Sequence, residues 1–166
     1  MSDSAAAKDP GVLPIRFLGQ YIRDFSFEVP HAPGVFADLR KQQHQISAAV
    51  EPRIQHIQGS TFEVTLVANA EAKIGDRPAF VAELSYSGVV ELDERAVPQE
   101  HVHALLSIEI PRYLFPYVRQ IISDTTVSGG FPPLILQPID FVELYRRTYG
   151  DQPQTVPRVS PSVPVT

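Results

Sequence analysis

The chain has 166 residues, a length that suits one domain with a buried core, and its 43% hydrophobic and 20% charged content is typical of a globular protein. The formal net charge of -5 argues against a nucleic-acid partner, because no cluster of positive charge larger than an adjacent pair such as Arg40 and Lys41 is available to neutralise phosphates. Cysteine is absent, which excludes disulfides, thiolate metal sites and cysteine nucleophiles and fits a reducing compartment. Residues 1–11 lack the apolar core of a secretory signal, and no run approaches the ~18–20 apolar residues of a membrane span, so we expect a soluble cytoplasmic domain.

The chain begins with residues 1–12, which are mostly small or polar and predicted to be disordered. A long first strand follows, because apolar side chains recur at odd-numbered positions up to Glu28: Ile15, Phe17, Tyr21, Phe25 and Phe27. The next residues, 29–34, contain Pro30 and Pro33. Two prolines so close together do not fit the interior of a sheet, and they predict a stiff loop.

Three further strands are predicted before the helical second half of the chain. Ile46, Ala48 and Val50 alternate weakly with the small residues Ser47 and Ala49, and Pro52 indicates an edge strand or a break. Residues 55–60 are typical of a turn. Residues 62–71 and 79–92 alternate clearly and predict a β-hairpin.

The second half of the chain is predicted to be helical. A short helix over Pro98–Ser107 leads into a second helix from Leu114, which ends at Gly129 and Gly130 because glycine adopts the left-handed conformation of helix C-termini. The buried face of that second helix is predicted from spacings of three and four residues: Leu114, Tyr117, Val118, Ile121, Ile122 and Thr125.

A last helix is predicted to start at Pro138, since proline suits a first helical position, with acidic residues early and Arg146 and Arg147 late. The connector before it, residues 131–136, carries no charge and needs a cover. Residues 150–166 are rich in proline and predict a disordered tail. The expected fold class is therefore α+β, a four-stranded antiparallel sheet followed by two helices, with one domain over residues 13–149. Two helices leave apolar sheet surface uncovered, which favours self-association.

The residues give little support to catalysis. His101 and His103 flank one residue, and on a helix two such side chains point about 200° apart and do not converge on a metal ion. No glycine-rich phosphate loop or nucleophile elbow is present, so we expect no cofactor and no enzyme activity. One alternative left open is a hydrolase that uses Asp24, Glu28 or a histidine.

The apolar connector and its neighbours predict a binding surface. Loops normally avoid such composition, and a wide apolar groove walled by a helix and a proline-stiffened loop would bind extended polypeptide. The candidate side chains from this argument are Phe27, Phe131, Leu134, Leu136, Phe141 and Tyr145. The second alternative left open is a carrier of a small apolar ligand that uses the same groove as a closed pocket.

Three motifs resemble the SecB family of bacterial protein-export chaperones. They are DFSFEVPHAP at residues 24–33, LFPYVR at 114–119 and GFPPLILQPIDF at 130–141, in the order that the family has them. The resemblance covers residues 14–149. It implies a dimer of dimers that joins through first strands and packs long helices between the two dimers.

In function, the resemblance implies an ATP-independent chaperone that holds unfolded precursor proteins in the cytoplasm and delivers them to the SecA motor, with no cofactor. A SecA-binding face is implied at Asp24, Glu28, Ile74 and Asp76. The implied client groove lies between the crossover loop, with Pro30, Pro33 and Phe36, and the last helix, and the second strand contributes Ile46, Ala48 and Val50.

Overall fold

A computed structural model of the chain describes residues 13–159. The elements in chain order are β1 (Ile15–Glu28), α1 (Val35–Leu39), β2 (Gln45–Gln58), β3 (Thr61–Ile74), β4 (Arg77–Leu92), α2 (Gln99–Ser128) and α3 (Phe141–Tyr149). The four strands form an antiparallel sheet in the order β1-β4-β3-β2. The predicted α+β fold is confirmed, and the predicted disorder of residues 1–12 concerns a part outside the described residues.

The β3–β4 hairpin forms the centre of the sheet, as predicted. Its turn is tight because Gly75 has a φ of +60°, which other residues rarely adopt. Even-numbered side chains of both strands are buried against α2 in the main core, among them Phe62, Leu66 and Leu84. We call this side of the sheet the helix side and the opposite one the outer face.

β1 has the predicted length, but its side chains do not alternate as predicted. The pairing with β4 shifts register between Phe17 and Gly19 and again between Ile22 and Asp24. Each shift adds one residue to β1 and exchanges the two sides of the strand. Tyr21 therefore lies opposite Ser87 on the outer face, whereas Phe25 lies opposite Leu84 on the helix side.

β2 is longer than predicted and runs over Gln45–Gln58. Residues 55–58, which we predicted to be a turn, belong to the strand, and the turn is confined to Gly59 and Ser60. The prediction was wrong because the pairing with β3 continues across positions that look turn-like in sequence. Pro52 is tolerated because β2 is an edge strand, which needs a ladder partner on one side only.

α2 is one continuous helix, whereas we predicted two. It passes through Pro111 and Pro116, each of which costs about 3 kcal/mol in a helix interior because a backbone hydrogen bond is lost. A stripe of side chains four residues apart continues through both prolines and is fully buried: Leu106, Ile110, Leu114, Val118 and Ile122. Burial of about 1.5–3 kcal/mol for each of these side chains offsets the prolines.

Two details of the helices differ from the prediction. Tyr117, which we placed on the buried face of α2, is exposed. α3 starts at Phe141 rather than at Pro138, because the Asp140 carboxylate accepts hydrogen bonds from the backbone N–H groups of Val142 and Glu143 and caps the helix. The predicted end of α2 is confirmed, with Gly130 at a φ of +87°.

The segment after α3 is packed against the sheet up to Val159, whereas we predicted a disordered tail over residues 150–166. Val156 is buried in the main core. The Arg158 guanidinium lies 2.7 Å from the Glu94 carboxylate, and its central carbon lies 5.5 Å from the centre of the Phe62 ring. Residues 160–166 lie outside the described residues.

Candidate functional site

The apolar connector after α2 is covered by aromatic rings from three other parts of the chain. The Phe131 ring centre lies 5.0 Å from that of Phe80, 5.3 Å from that of Phe36 and 6.4 Å from that of Phe27. We call these four rings the Phe131 cluster. Phe36 belongs to α1, a short helix in the crossover loop that was not predicted from sequence.

The glycines at the end of α2 allow this close packing. A Cβ atom on Gly129 would stand 2.4 Å from the Phe27 ring, a distance that real Cβ contacts do not show. The end of α2 therefore lies directly on β1. The glycine pair therefore ends the helix, and Gly129 also leaves the space that the Phe27 ring occupies.

The connector is only partly available to a ligand. Phe131 and Leu136 are buried, as is Phe141 at the start of α3, whose ring centre lies 5.9 Å from that of Phe115. Leu134 is half-buried, and its backbone N–H donates to the Thr126 hydroxyl at 2.9 Å. Three of the predicted groove residues are thus enclosed within the protomer.

The helix side of β2 carries reachable apolar side chains. Ile46 and Ala48 are exposed, and Val50 is half-buried beside α3. Ile46 lies opposite Ala72, which packs with the Phe131 cluster. We call Ile46, Ala48 and Val50 the β2 apolar row, which extends from that cluster to α3.

α3 closes one end of the row. A cavity of about 70 Å³ lies between the two elements and is lined in part by Val50, Pro52, Leu144 and Tyr145. Pockets for small molecules usually have about 300–1,000 Å³, so this cavity does not favour the carrier alternative. The other predicted groove residues lie in or near the crossover loop, where Pro30 and Pro33 are exposed and Phe36 and Phe27 are half-buried.

The contact between α3 and α2 includes a histidine in an apolar setting. The His103 Nδ1 atom lies 3.2 Å from the Tyr145 hydroxyl, and its ring centre lies 4.9 Å from that of Tyr149. Burial lowers the pKa of His103 below its ordinary value, because the charged imidazolium loses its hydration. Burial also raises the pKa of Tyr145.

Two of the predicted SecA-binding residues share the outer face. Asp24 pairs with Ser85 and Glu28 with Val81, and both carboxylates are exposed. Glu83, which lies opposite Ser26, adds a third exposed acid on the same face, and a concavity of about 290 Å³ lies beside it. Only the strand order, which a single sequence does not reveal, brings Glu83 beside the first two.

The other two predicted residues of this face lie elsewhere. Ile74 is buried on the helix side, where it packs with the Phe131 cluster. Asp76 is exposed in the β3–β4 turn. The structure therefore does not bring Ile74 to the surface that carries Asp24 and Glu28.

A second apolar surface lies on the helix side of β1. Its side chains are between 36% and 53% exposed, and we call them the β1 apolar strip: Phe17, Ile22, Phe25, Tyr113 and Tyr117. The strip is continuous across two elements, since the ring centres of Phe17 and Tyr113 lie 5.5 Å apart. Tyr117 stacks on Tyr86, which lies opposite Ile22.

A protein-family model described as SecB, preprotein translocase subunit SecB, matches residues 8–152. The chain belongs to the SecB family. Among its relatives named protein-export protein SecB, one from Rhodospirillum rubrum is 42% identical over 88% of this chain and 89% of its own length. Another, from Afipia carboxidovorans, is 38% identical over 98% of this chain and 100% of its own length.

A solved structure has the same fold. The SecB-like chaperone Rv1957 of Mycobacterium tuberculosis, determined with a ChAD peptide from the Rv1956 HigA1 antitoxin, matches with a TM-score of 0.63 at 17% identity. The match covers 76% of this chain and 91% of that one. SecB proteins are protein-export chaperones, so the predicted family and its role in protein export are confirmed.

The described residues add two observations on this SecB-family chain. No helix within residues 13–159 combines the length and the apolar character needed to span a bilayer. Over the same residues, no three histidine or acidic side chains come together in an arrangement that would hold a metal ion.

Proposed function

We propose that this SecB-family chain is an ATP-independent holdase, which binds unfolded precursor proteins in the cytoplasm and keeps them competent for export. The observation that carries the proposal is the β2 apolar row, an edge-strand surface that leaves Ile46 and Ala48 reachable between the Phe131 cluster and α3. Exposed apolar side chains attract apolar segments that a folded protein hides. The peptide bound to the SecB-like chaperone of Mycobacterium tuberculosis supports this kind of ligand.

The proposed client groove has two kinds of residues. Exposed and half-buried side chains contact the client: Phe27, Pro30, Pro33, Phe36, Ile46, Ala48, Val50, Leu134 and Tyr145. Phe131, Leu136 and Phe141 form the floor that holds them in place. Each contact contributes little, so affinity for one long unfolded chain comes from many sites used at once.

Assembly of several protomers increases the number of client grooves in one particle. We place the contact between protomers at the β1 apolar strip, because two tyrosines of α2 and three side chains of β1 expose one continuous apolar surface there. Symmetric pairing of such a strip buries it and closes a dimer, and a second contact between two dimers completes the assembly. The expected assembly is a dimer of dimers.

The acidic outer face is the proposed docking site for the SecA motor. Asp24 and Glu28 are exposed there beside Glu83, so a basic segment of the partner would gain charge complementarity that weakens with salt. Asp76 adds a charge at the neighbouring turn. Ile74 would support this turn from the helix side instead of contacting the motor.

A substitution pair on β2 tests the holdase proposal. Ile46→Asp places a charge in the β2 apolar row, whereas Ser47→Asp places the same charge on the next residue, opposite Glu71 on the outer face. We expect Ile46→Asp to reduce the suppression of aggregation of a reduced, unfolded precursor without nucleotide. Equal effects of the two substitutions, or suppression that requires ATP, would contradict the proposal.

A second pair of substitutions tests the separation of the two surfaces. Asp24→Ala with Glu28→Ala removes two outer-face charges, so we expect weaker binding to purified SecA in calorimetry, by about tenfold at low salt. Client holding should stay unchanged, because the client groove lies on the helix side. Loss of both activities together would show that the two surfaces are wrongly assigned.

A further inference from the structure

A buried carboxylate on the outer face holds two side chains of β1. Glu63 of β3 is 7% exposed, and its two carboxylate oxygens lie 2.6 Å and 2.7 Å from the Arg23 guanidinium nitrogen Nη1. It also accepts a hydrogen bond from the Tyr21 hydroxyl. Because β4 lies between β1 and β3, both donors reach across a whole strand.

Arg23 is the extra residue of the second bulge in β1. Ile22 pairs with Tyr86 and Asp24 pairs with Ser85, so Arg23 has no residue of its own opposite it in β4. Without the bulge, regular alternation would turn Asp24 to the helix side. The bulge thus decides that the acids of the second half of β1, Asp24 and Glu28, point to the outer face.

We infer that Glu63 is a positioning residue, which fixes the bulge at Arg23 and so presents Asp24 and Glu28 to a basic partner. The inference rests on the proposed function, since it concerns the same acidic surface. It adds a residue that does not itself contact the partner. Glu63 acts through Arg23 and Tyr21.

Two features support this role over a general contribution to stability. Within the protomer, β1 pairs with β4 alone, so a bulge in β1 needs a specific anchor. The Glu63 carboxylate binds both residues that flank Ile22, namely Tyr21 and Arg23. The hydrogen bond between Glu63 and Tyr21 raises the pKa of Tyr21, so the phenol stays protonated and donates. Without these two donors the buried Glu63 carboxylate would be poorly solvated. Its burial therefore depends on the bulge that places the donors beside it.

The test compares two carboxylate-to-amide substitutions. Glu63→Gln keeps the shape and removes the charge that holds Arg23. The matched control is Glu91→Gln, which breaks the 2.5 Å ion pair between Arg16 of β1 and Glu91 of β4 on the same face but away from the second bulge. For each protein, cross-strand NMR contacts between Asp24 and Ser85 report the register, and calorimetry with purified SecA at low salt reports the binding.

We expect Glu63→Gln to lose the contacts of the shifted register and to weaken SecA binding by about tenfold, the loss expected when both acids leave the surface. Glu91→Gln should keep the register and the affinity. Arg23→Lys, which retains the charge, should restore most of what Arg23→Gln loses. The losses from Arg23→Gln and Glu63→Gln should not add, because both break one interaction.

An unchanged register in Glu63→Gln would overturn the inference, and so would a changed register with unchanged binding. If Glu63→Gln does not fold, Arg23→Gln gives the same two readouts from an exposed side chain. Failure of the proposed function looks different. If the acidic outer face does not bind SecA, Asp24→Ala with Glu28→Ala leaves SecA binding intact. The NMR contacts between Asp24 and Ser85 still show whether Glu63 fixes the register.

Discussion

His103 shows how one side chain couples packing to pH. Its ring lies between α2 and the two tyrosines of α3, and burial lowers its pKa below the ordinary value of 6.5. The unfolded chain therefore binds a proton at a higher pH than the folded chain does. The stability that neutral His103 contributes is complete above about pH 6.5 and is lost as the pH falls through the folded pKa.

We accordingly expect the free energy of unfolding to decrease between pH 7.5 and pH 5.5, measured by urea denaturation at several pH values. His103→Phe should remove much of this decrease, because a ring of similar shape carries no proton. His101→Phe on the exposed side of the same helix is the control and should leave the decrease in place. A pH dependence that His103→Phe does not change would contradict the assignment.

The site residues differ in how far sequence predicts them. Asp24 and Glu28 were placed on one face by parity, which holds because no bulge separates them. Tyr21 was misplaced, since the two bulges leave no mark in the apolar pattern. Glu63 was missed because its donors lie on β1, two strands away, and a single sequence does not reveal such pairings.

At the scale of elements, the segment after α3 is the largest departure from expectation. Val156 fills the core and Arg158 bridges to Glu94, while proline content alone indicated disorder. Composition is a property of a whole segment, whereas its packing against the domain depends on a few individual side chains. Here the buried valine, the ion pair, a hydrogen bond from the Val159 N–H to His56 and two hydrogen bonds from the Arg158 guanidinium hold the chain.

Val156→Ala tests this docking. Removal of two buried methyl groups should lower the free energy of unfolding by about 2 kcal/mol. Val159→Ala is the matched control, since Val159 is 59% exposed, and should change stability little. Equal stability of the two variants in urea denaturation would show that the segment is not anchored.

Helices and strands were predictable where the local sequence periodicity agrees with the burial and strand pairing of the folded protein. The β3–β4 hairpin alternates over its whole length and was predicted well. α2 was predicted as two helices, one over Pro98–Ser107 and one from Leu114, although the buried stripe from Leu106 to Ile122 is continuous. For β2, pairing with β3 outweighed a local sequence that indicates a turn.

For the whole molecule, the β1 apolar strip makes self-association testable. Ile22→Asp places a charge in the strip, so we expect the mass in light scattering to fall from four subunits to two or one. Ile57→Asp on β2, at similar exposure and outside the strip, should keep four. A wild-type protein of one subunit, or a mass insensitive to Ile22→Asp, would contradict the proposed assembly.

We propose that unfolded chains are captured on the helix side of the sheet and not on the outer face. Ala48 and Ala49 are adjacent, both exposed, and lie on opposite sides, since Ala48 pairs with Ala70 and Ala49 with Asn69. Because the chain has no cysteine, Ala48→Cys and Ala49→Cys each allow labelling with one environment-sensitive dye. With a reduced, unfolded precursor and no nucleotide, we predict a saturable blue shift and rise in emission at position 48, little change at position 49, and no response to the folded precursor. An equal response at both positions, or a response at position 49 alone, would contradict the claim.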